Sequence, residues 1–227
     1  MSTREERGRD VVRQSGLTSV AAGLAIVSGL VLDVAIGMRF GATASTDAFF
    51  FAAGIALGLV AVVMVGANQA LVPTISTWLQ RRGEAETWRL CSVLACAALV
   101  GGAILVVVVD LLAWPLMRGL ALGFEPWQVE LAAGSLRILM PIVPLVAVAE
   151  VLRALLNARY SFFAPAAMHV VMNAVAAAIV IGLAGPLSVV AWAFVAGALA
   201  QAVFMLIMAV REGFRPHLTL AVRNPDP

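Results

Sequence analysis

The sequence predicts an all-α polytopic membrane protein with six transmembrane helices. Three observations predict it. Of 227 residues, 62% are hydrophobic and only 12% charged, and the mean hydropathy is +0.99, whereas a soluble domain runs near 45–50% apolar and about 25% charged. The apolar residues fall in long blocks, each near the ~20 residues needed to cross ~30 Å of hydrocarbon. All 15 basic residues are arginine, and they cluster on one side of those blocks. This composition excludes a secreted disulfide scaffold, a disordered tail and an ordinary cytosolic enzyme, and a net charge of +2 is too small to suggest a nucleic-acid partner.

The first element is a short N-terminal segment, residues 1–16, carrying Arg4, Glu5, Glu6, Arg7, Arg9, Asp10 and Arg13. It reads as a solvated or headgroup-level helix. A signal peptide is the rival reading, but the apolar run that follows is too long for an h-region and contains Asp33. The transmembrane lobe then covers 17–211, with spans expected at 17–38, 48–72, 90–113, 131–155, 164–184 and 187–210, and 212–227 forms a tail. In hydrocarbon such blocks must be helical, because unpaired backbone groups there cost too much.

Breakers and charges divide the spans. Arg39-Phe40-Gly41-Ala42 follows the first. The second is expected to end near Pro73, ahead of the polar run Gln80–Glu86. Trp114-Pro115 is expected to close the third, before an interfacial loop around Phe124 and Trp127. Pro141 and Pro144 break the ladder early in the fourth, and Gly185-Pro186 leaves room only for a tight hairpin between the last two. With the N-terminus inside, the cytoplasmic segments hold 12 arginines, and the outer half holds only Arg39, Arg118 and Arg137. That bias places both termini in the cytoplasm.

No catalytic cluster emerges. There is no Walker loop, HExxH or GxSxG, and His169 and His217 are far apart, so no enzyme activity, metal or cofactor is expected. Cys91 and Cys96 are read as small apolar fillers, and Gly54 and Gly58 as a GxxxG surface for close helix packing. Ionisable residues inside apolar spans carry more information, since charge in hydrocarbon is expensive. Glu150 and Arg153 are three apart and read as a self-neutralising pair on one helix face. Asp33 and Arg137 fall on the same outer side, where they are expected either to face each other across a cavity or to form a static pair. Asp33, Arg39 and Asp47 are expected to cluster at the outer mouth, with Asp47 capping the second helix. Asn68, Gln69, Asn157 and Asn173 are interhelical hydrogen bonds or cavity lining.

Phe40-Gly41-Ala42, then Thr46-Asp47-Ala48-Phe49-Phe50, resembles the first loop and second-helix start of the MurJ/MviN lipid II flippases. Asp33, Gly66-Ala67, Val72-Pro73, Pro141, Leu156-Asn157, Pro165 and Asn173 extend the resemblance over roughly 17–211. The family belongs to the multidrug/oligosaccharidyl-lipid/polysaccharide exporter superfamily. The resemblance implies one six-helix lobe of a two-lobe fold, in the bacterial cytoplasmic membrane. It further implies translocation of the undecaprenyl-pyrophosphate-linked peptidoglycan precursor by alternating access, and thus a lipid-linked substrate and a second lobe or homodimer as partners. Asp33, Asp47 and Arg137 match family positions, whereas the family's cavity arginines align with the apolar Ile26, Leu32 and Val60. Two further readings stay open: a degenerate, non-transporting membrane partner or scaffold, and an exporter of a different, less anionic lipid-linked substrate. The substrate and gating candidates are therefore Asp33, Arg39, Asp47, Asn68, Arg137 and Asn173.

Overall fold

The computed structural model describes residues 2–215, with side chains described from Ser19 onward. The expected acidic and basic N-terminal side chains, His217, Arg223 and most of the tail thus lie outside the described residues. Six α-helices follow one another: α1 (Ser2–Phe40), α2 (Ala44–Leu120), α3 (Pro126–Leu139), α4 (Ile142–Ala158), α5 (Phe163–Gly182) and α6 (Ser188–Arg211).

α2 spans 77 residues, which as one straight rod would be about 115 Å long, several times the bilayer's hydrocarbon. It folds back instead at Gly83, whose φ of 79° and ψ of −177° break the helix. Few residues with a Cβ tolerate that φ. The two limbs, 44–82 and 84–120, therefore form a hairpin. Packing confirms it: Phe49 shares one core cluster with Met117, and Ile75 shares another with Cys91. Among the described residues, five helices are long and apolar enough to span a membrane, with α3 and α4 counted as one. α2 supplies two of the six expected passes.

Two proline readings are corrected. The helix does not end near Pro73, nor at Trp114-Pro115; both prolines lie inside α2. A proline deletes one donor and adds a clash, yet inside a membrane bundle neighbouring groups re-satisfy the backbone and the helix runs on. Beside Pro73 the Thr74 hydroxyl donates to the Ala70 carbonyl and the Thr77 hydroxyl to that of Pro73, at 2.7 and 2.8 Å, whereas the carbonyl that loses its i+4 donor to Pro73 is that of Gln69. Pro141 does interrupt its span. α3 ends at Leu139 and α4 restarts at Ile142, so a kink separates the two.

α1 packs on α5, α5 on α6, α6 on α4, and α4 on α2, with α3 also against α2. The chain's turns sort to two ends. Arg39 reaches Val180, and Gln128 the Ala44 carbonyl, so the loops at Gly41, Gly123 and Gly185 share one end. Arg159 pairs with Glu84, and Gly213 lies beside Trp88, so these share the end marked by Gly83.

Glycines enable two close approaches between helices, neither at the GxxxG. A Cβ on Gly102 would fall 2.4 Å from Pro144 Cβ, and one on Gly197 2.5 Å from the Met172 carbonyl oxygen. Gly54 and Gly58 have open space around them. The expected packing surface is unused within this lobe, because the apposed α2 face is the one carrying Ala52, Ala53 and Ala56.

Candidate functional site

The loop between α1 and α2 is built by its own sequence. Gly41, at φ 64°, ends α1 and donates its N–H to the Gly37 carbonyl. Thr43 and Thr46 then cap α2 reciprocally: the Thr43 N–H donates to Thr46 Oγ1 at 2.8 Å, and the Thr46 N–H to Thr43 Oγ1 at 3.3 Å. The Thr46 hydroxyl also lies 3.0 Å from the Gly41 carbonyl. Asp47 was expected to be the cap; Thr43 is, one turn earlier. Asp47 is exposed in the first turn, where its charge still meets the positive helix end.

The expected cluster of Asp33, Arg39 and Asp47 does not form. Arg39, half-buried at the end of α1, donates to the Val180 carbonyl on α5 and lies 5.3 Å from the centroid of the Phe40 ring. Asp33 is exposed on α1, and among the described residues neither Asp33 nor Asp47 enters an ion pair. Arg137 does not face Asp33 either. It approaches the Asp110 carboxylate at 3.5 Å and donates to the Asp110 carbonyl at 3.1 Å, tying α3 to the second limb of α2.

The strongest polar assembly lies deeper. Glu150 on α4 is fully buried, and its Oε2 accepts from Arg153 Nε at 2.6 Å. Arg153 Nη2 then donates 2.8 Å across to Asn68 Oδ1 on the first limb of α2. The pairing expected from the i,i+3 spacing is present, and Asn68 extends it between helices. Asn173 plays a similar part: its Nδ2 donates to the Ala25 carbonyl and lies 3.2 Å from Ser28 Oγ, joining α5 to α1. The arrangement anchors helices through neutral or self-neutralising contacts, the form polar groups take in hydrocarbon.

Two features escaped sequence reasoning. Gln201 is fully buried in α6; its signal was an isolated amide in an otherwise apolar span. Arg82 stacks over Trp78 and Arg118 over Trp114, with centroid distances of 4.5 and 5.0 Å. A Trp four residues ahead of an Arg at a helix end was the available clue. Among the described residues, no three His, Cys, Asp or Glu side chains gather as a metal site, and Cys91 and Cys96 are both free.

A family model described as "Lipid II flippase MurJ" matches residues 36–226. The chain belongs to the lipid II flippase MurJ family. A solved structure of lipid II flippase MurJ in an inward closed conformation superposes with a TM-score of 0.69 at 20% identity, covering 90% of this chain and 43% of that one. A MOP superfamily transporter from Pyrococcus furiosus, for which a binding pocket of reversed polarity suggests a different function, superposes at 0.62 with 18% identity. It covers 96% of this chain and 48% of its own. The described lobe thus has a MurJ-like all-α fold and is an integral membrane protein, and the chain spans less than half the length of either structure. Of the three positions expected from the resemblance to align with the family's cavity arginines, Ile26 is 76% exposed, whereas Leu32 and Val60 are packed into the core at 2% and 8%. An arginine at either of the latter would have to displace core side chains.

Proposed function

We propose that this chain supplies one lobe of a translocator for the undecaprenyl-pyrophosphate-linked peptidoglycan precursor. It works by alternating access in the bacterial cytoplasmic membrane, together with a second lobe. The observation that carries this reading is the overlay of nearly the whole chain on under half of a MurJ structure, within a family match over 36–226. The open face around Gly54 and Gly58 supports the second lobe, since exposed small residues let a further helix approach closely. The Pro141 break between α3 and α4 supports movement, as a kinked helix gives a span a place to bend. Arg81, Arg82, Arg89, Arg153, Arg159, Arg211 and Arg215 belong to the Gly83 end, against Arg39, Arg118 and Arg137 at the other. That excess supports a cytoplasmic Gly83 end and both termini inside.

A second reading rests on a specific observation. Asn68, Arg137 and Asn173 all spend hydrogen bonds on the lobe's own helices, and two of the three positions expected to align with the family's arginines are core. This favours a membrane partner that does not itself transport. Complementation of a flippase-depleted strain separates the two. Rescue that depends on a second lobe supports translocation, while association with the cell-wall machinery without rescue supports the partner role.

A further inference from the structure

α1 and α5 do not close on each other along their whole length. Toward the Gly41 end they leave a groove of about 800 Å³, open on one side. Leu30, Val34 and Met38 of α1 line one wall, Val180 and Ile181 the other, and Ala184 lies just past α5. Among the described residues, Arg39 is its only charged lining residue. We propose that this groove holds one chain of an anionic phospholipid, with the phosphate at Arg39.

Three observations carry the assignment. The first is length. From Leu30 to Arg39 the groove follows nine helical steps, about 14 Å, close to the ~15 Å that is half of a ~30 Å hydrocarbon core. The groove therefore matches the chain of a single leaflet, with Arg39 at headgroup depth. The second is volume. About 800 Å³ falls within the roughly 300–1,000 Å³ of small-molecule clefts, room for part of one acyl chain. The third is charge. Among the described residues Arg39 enters no ion pair, and its guanidinium donates to the Val180 carbonyl. A guanidinium has five N–H donors in a planar fork suited to phosphate. Donors remain after Val180 is satisfied, and that bond aims the guanidinium at the end of the groove while offsetting the negative end of α5. Asp33 is not among the lining residues, so no groove carboxylate repels the phosphate. Basic pockets between transmembrane helices recognise anionic headgroups on the same grounds.

The test reads lipid retention alone, without a translocation readout. The full chain is purified in mild detergent, titrated with phosphatidylglycerol or phosphatidylcholine of matched chains, and bound lipid is counted by native mass spectrometry. One phosphatidylglycerol per lobe should be retained in preference to phosphatidylcholine. Arg39→Gln should weaken that retention roughly tenfold, as expected for loss of a charge-assisted phosphate contact. Arg39→Lys should keep the anionic preference. Val34→Trp, which fills the groove and leaves the charge, should abolish retention of both lipids, while Arg82→Gln at the opposite end should change nothing. Melting temperatures of all variants identify any that fail to fold, and Val34→Trp then carries the test if Arg39→Gln does. Equal retention of both lipids overturns the proposal, as does unchanged retention in a folded Arg39→Gln or Val34→Trp protein. Displacement of phosphatidylglycerol by a polyprenyl phosphate at equal concentration also overturns it, since the groove would then belong to an isoprenoid chain.

Discussion

Removing the Arg153 guanidinium tests how this lobe stores charge inside a bilayer. Glu150 is fully buried, and Arg153 is its ion-pair partner at 2.6 Å. Arg153→Met leaves a carboxylate in the core without a counter-ion and strips Asn68 of its donor. Deleting one partner of a buried pair typically costs about 3–5 kcal/mol. For a chain of this size each kcal/mol moves the melting temperature by about 2–4 °C. The expected fall is therefore about 6–20 °C, read from the fluorescence of the five tryptophans during heating in mild detergent. Glu150→Leu combined with Arg153→Met removes both charges, and apolar replacement of a buried pair is often neutral or stabilising. The double variant should thus melt well above Arg153→Met alone, giving a coupling energy above about 1 kcal/mol in the cycle. A fall of under 2 °C for Arg153→Met, with additive single and double variants, would refute the reasoning.

Gly197→Ala should destabilise by about 1–3 kcal/mol, because its Cβ would overlap the Met172 carbonyl and a backbone atom cannot rotate away; melting in detergent measures it. Gly54→Leu with Gly58→Leu should leave that melting point nearly unchanged, since both sites are open, yet reduce association with a second lobe in crosslinking of native membranes. In a background lacking Cys91 and Cys96, single cysteines at Ala42 and Ala85 should label from opposite sides of intact cells, Ala42 from outside. Labelling of both from one side contradicts the six-pass arrangement.

The spans were legible because long apolar blocks in hydrocarbon admit only helices, and the Glu150–Arg153 pair because its spacing is local. Pro73 and Pro115 misled for the same reason that they are tolerated. Helix rupture by proline is a local rule, and its cost falls when surrounding groups take over the freed carbonyls. The cap of α2 was misplaced because Thr43 and Asp47 both suit a helix start, and the choice between them depends on where Gly41 turns the chain. Arg39 and Asn173 were flagged by their chemistry, but their partners, Val180 and Ala25, are backbone carbonyls more than a hundred residues away, which no side-chain pattern announces. The glycines show the same limit. Gly54 and Gly58 carry the packing motif, while Gly102 and Gly197 make the close contacts, because a motif does not tell which helix face the rest of the lobe covers.

The most direct test of the two-lobe account is translocation of fluorescent lipid II in vesicles. The complex is captured on a tag carried by this chain and compared with the same chain stripped to a monomer. The account predicts that the captured complex moves lipid II between leaflets and that the monomer does not. Movement by the monomer, or none by the complex, would contradict it.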